Sequence, residues 1–408
     1  MIGPYVGRVA TVSGKQMKPI TGLRPAFLAL SVGYMATSAS AQSSVTLYGV
    51  IDDAVAFTDN QHGKSNLYLL QGSLSSSRVG LRGSEALSSQ TKTIFDLQAG
   101  FDPNTGKEAS PGLEFNRQAL FGLEDKTLGS ILLGRQYSSY WTLLFPLGPV
   151  PSLTGATGTH PGDIDALDTT VRTNSSVKYI SAPMAGITAS AQYGLGGVPG
   201  SLQTGSEVSA ALQYVGGPLS MAMGYLRLNN VKTSDGFNST TGSSIGVSAI
   251  NTGYVTARSI QHLAILMNYE RGPILVGLSY SNVAYRPDAG SVFTDTAVFN
   301  TYGFIARYAL AKNTTFAIGY SYTMTSRANG ICDAATYHQI SMKQSYRFSK
   351  RTTVYFIQAW QRANGQTLGA SGARDIVNAS PDVGDAENST PSSTKNQVVA
   401  ALGLAVAF

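Results

Sequence analysis

The sequence predicts an all-β protein, a transmembrane antiparallel β-barrel of about 16 strands, and three observations favour this fold. Apolar side chains recur at every second position in many short segments along the chain. Charged residues make up only 13% of the 408 residues, against about 25% in soluble proteins. The mean hydropathy is nevertheless close to zero, and no run reaches the ~18 apolar residues of a spanning helix. Hydrophobic surface spread over alternate positions is typical of membrane strands.

The N-terminal residues have the features of a secretory signal peptide. Residues 1–42 contain four basic residues and no acidic one, and an apolar stretch at 25–36 precedes Ala39-Ser40-Ala41, a small-x-small cleavage site. We therefore predict a signal peptide at 1–41 and a single barrel domain at 42–408, with a short N-terminal helix as the alternative. A start at Met17 would give a signal of ordinary length. Removing residues 1–42 lowers the formal net charge from +6 to +2, so the high pI does not indicate a nucleic-acid partner.

The first and last predicted strands show the alternation clearly. Residues 45–51 place apolar side chains on one face and mostly polar ones on the other. Counting back in twos from Phe408 gives a wholly apolar face, while the opposite face is small: Val406, Leu404, Leu402, Ala400 and Val398 against Ala407, Ala405, Gly403, Ala401 and Val399. A chain that ends in such a strand with a boundary aromatic is typical of an outer-membrane barrel. The alternative for this segment alone is a buried edge strand of a soluble protein.

The interior of the chain repeats the same pattern. Alternating segments lie at 94–101, 187–193, 208–214, 219–225, 274–281, 316–323 and 339–348. Tyr or Phe closes many of the apolar faces near a strand end, which predicts an aromatic girdle at the membrane interface. A soluble β-sandwich is the alternative, but its exposed face would be unusually poor in charge.

Connections between the predicted strands alternate in length. Short turns rich in Gly, Pro or Lys lie at 87–90, 126–129, 183–186, 216–218, 271–273, 311–313 and 349–351. Long connections lie at 103–114, 138–173, 194–206, 228–257, 286–296, 326–336 and 364–395. Short periplasmic turns and long outer loops are the asymmetry of these barrels. An even strand number follows if both termini are periplasmic.

The strand Ser44–Asp52 resembles the first strand of the trimeric general porins of β-proteobacteria. Further stretches agree with that family: Ser76–Glu85, Arg117–Leu123, Leu133–Gln136, Arg172–Tyr179 and the terminal Ala407-Phe408. The resemblance implies a homotrimer of 16-stranded barrels, each with an inward-folded third loop, in the outer membrane of a Gram-negative bacterium. The implied partners are outer-membrane lipid, lipopolysaccharide, the barrel-assembly machinery, and small hydrophilic solutes and ions that diffuse passively. It also implies that Phe408, with Val406 and Leu404, is the assembly signal.

A water-filled barrel of this width needs a constriction, and residues 138–173 are the best candidate. Arg78 and Arg82 share a face by spacing, and lipid disfavours Arg by about 2–4 kcal/mol at the midplane, so we expect both in the lumen. The resemblance adds Arg135 to this basic wall, although strand parity groups Arg135 and Arg117 with apolar neighbours. The remaining candidates are Arg117 on the basic wall, Asp163, Asp165 and Asp168 on the acidic loop, and Asp96, Lys92 and Arg307 as other lumenal residues. The alternative for these arginines is a salt-bridge network that stiffens the wall, and this role does not exclude a role in the pore.

The opening of the candidate constriction loop departs from the family pattern. The family often has an acidic, aromatic and Gly-rich cluster there, whereas residues 137–151 are largely apolar and the first acid is Asp163. We therefore expect a weak anion preference. A substrate-selective channel on the same barrel, or a plugged adhesin or structural barrel, are the alternatives to a general diffusion channel.

Enzymatic functions find little support. The four histidines are His62, His160, His262 and His338, and none has a metal-binding spacing such as His-x-x-x-His. No Gly-x-Ser-x-Gly nucleophile elbow occurs. We expect no catalytic residue, metal or cofactor, and we interpret His262 as a polar group of the lumen.

Overall fold

The computed structural model describes residues 43–153, 155–168, 171–237, 247–385 and 390–408. The predicted signal peptide and its cleavage site lie outside the described residues. Within the described ranges, no helix combines the length and the apolar character needed to span a membrane.

The wall of the protein is a closed antiparallel barrel of 16 strands, which confirms the predicted fold class. One strand, β2, is interrupted and comprises two segments, Lys64–Gln71 and Arg78–Ala86. The other strands are β1 Ser43–Gln61, β3 Thr91–Gly100, β4 Gln118–Asp125, β5 Gly129–Tyr137, β6 Arg172–Ile180, β7 Ile187–Gly194, β8 Glu207–Gly216, β9 Leu219–Asn229, β10 Ser259–Arg271, β11 Ile274–Arg286, β12 Ala297–Ala311, β13 Thr314–Thr325, β14 Thr336–Arg347, β15 Thr352–Asn364 and β16 Asn396–Ala407. Two three-residue strands, Gln366–Leu368 and Ile376–Asn378, pair with each other apart from the wall.

The barrel closes where the first strand meets the last. β1 pairs with β16 in an unbroken register from Val50↔Ala407 to Thr58↔Val399. Its other edge pairs with both segments of β2, and residues 72–77 leave the wall between them. Because every strand has a neighbour on both sides, the backbone has no open edge, which is the condition for crossing a bilayer with strands.

Side chains alternate between the two faces of the wall as the sequence predicts. On β1, Leu47 and Ile51 are exposed on the outer face while Val50 and Asp52 are buried on the inner face. Exposed aromatic residues gather near the strand ends that carry the short turns, at Tyr179, Tyr214, Tyr269, Tyr308, Phe316, Tyr346 and Phe348. This apolar outer surface with an aromatic rim fits the hydrocarbon layer and its interface.

Seven short turns lie at one end of the barrel, together with both ends of the described chain. Phe408 and Gly49 exchange both backbone hydrogen bonds there, at 3.1 and 3.0 Å. The long connections lie at the opposite end, in agreement with the predicted alternation. That end also carries a two-residue turn, His62-Gly63, which is not among the turns predicted from the sequence. Both residues have positive φ (50° and 94°), as in the tight hairpins that favour right-handed twist.

The connection between β5 and β6, described at residues 138–153, 155–168 and 171, folds into the barrel and is here called the inner loop. Its described residues form the helix α1 Ser139–Leu144, the short helix α2 Pro149–Ser152 and three 3₁₀ turns. Its buried apolar side chains pack on the wall formed by β8–β10, and the cluster includes Leu143, Leu144, Leu147, Leu167, Ala211, Ala222, Leu226 and Leu266. The inner loop therefore covers one side of the lumen and leaves the side of β2–β6 open.

Candidate functional site

Polar side chains of the wall hold the inner loop by its backbone. Inward-facing amides on three strands each donate to a carbonyl of the loop, which satisfies backbone groups that no regular structure pairs. The bonds are Gln213 Nε2 to Leu143 O at 2.7 Å, Asn268 Nδ2 to Leu147 O at 3.2 Å and Gln339 Nε2 to Thr159 O at 2.6 Å.

Two of the three predicted loop carboxylates stabilise the inner loop, and one of them also binds the wall. Asp165 is fully buried, and its Oδ2 bonds His160 Nδ1 at 2.6 Å and accepts from Ser281 Oγ of β11 at 2.7 Å. Burial raises the pKa of Asp165, but the adjacent His160 and the Ser281 hydroxyl lower it by more than burial raises it. The pKa of Asp165 therefore lies below its usual value. Asp163 Oδ1 accepts the backbone N–H of Asp168 at 2.9 Å. Both carboxylates stabilise the loop itself.

A cavity of about 480 Å³ lies between the inner loop and the wall of β2–β6. Arg78, Arg117 and Lys178 line it, and its acidic lining residue in the described part of the chain is Asp168. Arg78 is anchored by Ser76 O at 2.8 Å, and Arg117 Nε donates to Gln98 Oε1 at 3.0 Å. The structure thus brings two predicted basic residues and one predicted acid to the same cavity.

An aromatic stack that starts at the end of β5 and continues into the inner loop lines the same cavity. Tyr137 and Trp141 have ring centroids 3.9 Å apart, and Trp141 and Phe145 have centroids 4.4 Å apart. The spacing of four residues places the three rings on one face of α1 and its extensions. Guanidinium groups lie over the Tyr137 ring, Arg117 at 6.0 Å and Arg172 at 5.4 Å. Both guanidinium groups therefore lie within cation–π distance of the Tyr137 ring.

A second cavity of about 460 Å³ adjoins the first toward the short turns. The two share Leu120 and Leu132 in their linings. Among the described residues, four charged side chains line the second cavity: Arg82, Lys92 and Asp96, which the sequence predicts to be lumenal, and Glu124, which it does not. Lys92 pairs with Glu124 at 2.9 Å, and the guanidinium of Arg82 lies 5.0 Å from the Tyr48 ring, whose hydroxyl bonds Asp96. Arg78 and Arg82 thus lie in successive cavities along one wall.

Arg135, which the resemblance places on the basic wall, lines neither of the two cavities. The strand is irregular at this point, since Gly134 has a φ of 119° and Tyr137, two residues after Arg135, is buried and lines the first cavity. Arg135 Nε donates to Asn116 O at 2.7 Å and its Nη1 to Asn174 Oδ1 at 2.6 Å. The pairing of β5 with β6 shifts register at this point. The hydrogen bonds of Arg135 link β5 to β6 and to the residues just before β4, at the end of the barrel that carries the long connections.

The last predicted lumenal residues lie inside the barrel. Arg307 shares the inward parity of β12 and pairs with Glu270 at 2.6 Å. His262 is buried, with its ring 6.1 Å from that of Tyr140 in the inner loop. Among the described residues, no group of three His, Cys, Asp or Glu side chains has a metal-binding arrangement.

Sequence reasoning missed two features of the cavity. Lys178 belongs to its lining, and parity could have found it, since it alternates with the exposed Val177 and Tyr179. Residues 72–77 fold inward, where Asp52 Oδ2 accepts the N–H of Leu74 at 2.7 Å and Ser73 O accepts the N–H of Ala156 at 3.1 Å. Only the run of Ser and Gly in that segment signals the interruption of β2.

Comparison with known proteins agrees with this architecture. The family model described as Gram-negative porin matches residues 26–366. The chain is 29% identical over 233 residues to an outer membrane porin protein of Bordetella pertussis, covering 49% of this chain and 58% of that protein. It is 29% identical over 216 residues to outer membrane porin protein 32 of Delftia acidovorans, covering 50% and 59%. The matches therefore span less than two thirds of these relatives.

Two solved structures have the same fold. An anion-selective porin from Comamonas acidovorans matches with a TM-score of 0.68 and 20% identity, covering 90% of this chain and 100% of that one. A trimer form of OmpT, an outer membrane protein of Vibrio cholerae, matches with a TM-score of 0.61 and 16% identity, covering 90% and 99%. At these identities the likeness establishes the barrel architecture.

Proposed function

The chain belongs to the family of Gram-negative porins, and we propose that it forms a water-filled channel for passive diffusion of small hydrophilic solutes and ions across the outer membrane, with a weak anion preference. The observation that carries this proposal is the pair of adjoining cavities that lie along β2–β6 beside the inner loop. Members of the family are channels, and no catalytic role is proposed.

The sign of the preference follows from the charges at the first cavity. Arg78, Arg117 and Lys178 face Asp168, the acidic lining residue in the described part of the chain. A narrow passage with low-dielectric walls focuses such local fields, so a few charges at the constriction outweigh a small net charge of the whole chain. One solved structure of the same fold is named an anion-selective porin, and an anion preference is also what we propose for this chain.

Each candidate residue has a role within this proposal. The basic wall comprises Arg78 and Arg117 at the first cavity and Arg82 at the second, opposed by Asp168 and Asp96. Asp163 and Asp165 hold the inner loop, Arg135 braces the loop end of the wall, and Lys92 and Arg307 form inner ion pairs. We further propose cleavage of residues 1–41, insertion by the barrel-assembly machinery, and a homotrimer in contact with outer-membrane lipid and lipopolysaccharide.

Planar-bilayer recording of purified protein tests the function. A general diffusion channel gives conductance nearly linear in KCl concentration, a solute-selective channel shows saturable block by its solute, and a plugged barrel gives no current. In a KCl gradient we expect Arg78→Ser/Arg82→Ser to shift the zero-current potential toward cations. The expected loss of anion preference is roughly fivefold, because a charge interaction in water is worth about 1 kcal/mol and this energy corresponds to that factor.

The matched control is Lys312→Ser/Lys350→Ser. It removes the same net charge from two exposed residues of the short turns, away from both cavities. An unchanged zero-current potential in the Arg78/Arg82 variant, or an equal shift in the control, would show that the two arginines do not set the selectivity.

A further inference from the structure

We infer that the constriction selects amphipathic anions in which a carboxylate is attached to an aromatic ring, in preference to equally large hydrophilic anions. This inference rests on the proposed channel function and names the class of solute that the channel favours. Its basis is the arrangement of basic groups and stacked rings around one cavity.

The anionic end of such a solute meets a fixed basic surface. Arg78 and Arg117 are each held by a hydrogen bond to a neighbouring group, and Lys178 Nζ donates to Tyr137 O at 3.1 Å. Side chains that are already oriented lose little entropy when an anion arrives. Guanidinium groups also recognise carboxylates with two parallel hydrogen bonds.

The apolar end meets the aromatic stack. Trp141 and Phe145 are half-buried, and part of each ring lines the cavity. Leu120 and Leu132 add apolar surface from the wall side. A lining of this kind does not favour sugars or inorganic ions. An aromatic solute is favoured because contact with these rings removes its apolar surface from water.

The two surfaces are close enough for one small molecule to contact both. Arg117 lies 6.0 Å from the Tyr137 ring, and the stack continues from Tyr137 through Trp141 to Phe145 with centroid steps of 3.9 and 4.4 Å. A carboxylate on the guanidinium therefore places an attached ring beside the exposed parts of the stack. A cavity of about 480 Å³ lies within the range of small-molecule sites.

The order of the two cavities lets an anion bind in the first one and still leave it. The second cavity adjoins the first at Leu120 and Leu132; the aromatic stack does not extend into its lining, which contains Phe95 and the ion pair Lys92–Glu124. An anion that leaves the stack meets Arg82 next. Successive weak sites of the same sign let a solute enter and leave.

The test compares benzoate with glucuronate, a hydrophilic carboxylate that also has a six-membered ring. Zero-current potentials are measured in planar bilayers with KCl on one side and the potassium salt of each anion on the other. We expect a benzoate-to-glucuronate permeability ratio above the ratio of the free mobilities of the two anions. In Trp141→Gln/Phe145→Gln this excess falls by roughly threefold to tenfold, which is what one or two aromatic contacts supply.

Two controls keep the result interpretable. KCl conductance of the double variant reports that the barrel is folded and open. Trp360→Leu removes the other tryptophan of the chain, which lies on the outer face beside the exposed Ile340 and Val398, and its permeability ratio should equal that of the unmodified protein.

A fluorescence readout is independent of conduction. In Trp360→Phe, Trp141 is the remaining indole, and 4-nitrobenzoate should quench it more steeply than the neutral 4-nitrobenzyl alcohol. Absence of KCl current in the unmodified protein would overturn the proposed function. Normal KCl current with a benzoate ratio equal to the mobility ratio, with a ratio unaffected by the double substitution, or with equal quenching by the two nitro compounds would overturn the solute preference alone.

Discussion

Asp165 and Asp168 lie three residues apart and have different roles. Asp165 is enclosed by His160, Ser281 and the hydroxyl of Tyr140, which donates to the Asp165 carbonyl at 2.9 Å, while Asp168 lines the cavity. The sequence predicts that both belong to the inner loop. It cannot tell a carboxylate that anchors the loop from one that faces the pore, because that depends on which wall residues close around the loop.

We predict that Asp165→Ala loosens the inner loop. It removes charged hydrogen bonds worth roughly 1.5–3 kcal/mol each, so open-channel current noise should rise and the protein should unfold at lower denaturant in lipid vesicles. Because the pKa of Asp165 is lowered, its contribution is present at neutral pH and is lost as the pH falls through that lowered pKa. The unmodified protein should therefore become noisier in acid, and the variant should not change further.

Asp295→Ala is the matched control for this prediction. Asp295 also holds a loop, since its Oδ2 accepts the N–H of Asn329 at 3.1 Å, but that loop lies at the outer end of the barrel. Equal noise in the Asp165 and Asp295 variants would contradict an anchoring role specific to Asp165.

At the scale of elements, alternation predicts the strands well and their irregularities poorly. Parity assigns the faces of Leu47 and Asp52 correctly because lipid and lumen impose a period of two, but it fails at Arg117, which lines the first cavity although it shares parity with the exposed Phe121. The interruption of β2 depends on Asp52 and Ala156, which are far from residues 72–77 in sequence. Such long-range hydrogen bonds leave no local pattern, so sequence alone could not locate the inward segment.

The C-terminal strand provides a prediction for assembly. Phe408 forms both backbone bonds with Gly49, and its ring covers that glycine so closely that a Cβ there would collide with it. Phe408→Ala retains the backbone pairing and removes the ring, whereas deletion of Phe408 removes both. We expect the heat-modifiable outer-membrane form to decrease severalfold in both variants if the aromatic end is the assembly signal, with precursor accumulating in the periplasm.

Phe348→Ala provides the comparison, because Phe348 is another exposed aromatic at the short-turn end. Immunoblots of unheated and heated membranes measure the folded fraction. A normal level in Phe408→Ala with a reduced level in the deletion would assign the effect to strand pairing alone and reject the recognition of the ring.

For the whole molecule, the stability of the wall depends on the joint between β1 and β16. The inner side of this joint is a compact cluster comprising Ala54, Ala56, Leu70, Tyr355, Ile357, Ala401 and Ala405. Small residues on β1 and β16 allow Tyr355 and the inward segment to pack between them. The sequence indicates both terminal strands but not their register, which Asp52 and the Gly49–Phe408 pair determine together.

Cysteine cross-linking tests this closure directly. Ala56 faces Ala401 in the register, and counting from the hydrogen-bonded Gly49–Phe408 pair makes Ala56–Ala401 a non-hydrogen-bonded pair. Such pairs have Cα atoms about 4.5 Å apart, within the range that a disulfide spans. We predict that Ala56→Cys/Ala401→Cys, in a Cys332→Ser background, forms a disulfide that alters gel mobility after heating without reductant. Ala56→Cys/Ala359→Cys in the same background should keep free thiols, since β16 separates β15 from β1. Free thiols in both proteins would mean that the first and last strands do not meet in the register described here, and the closed channel on which the proposed function depends would have to be abandoned.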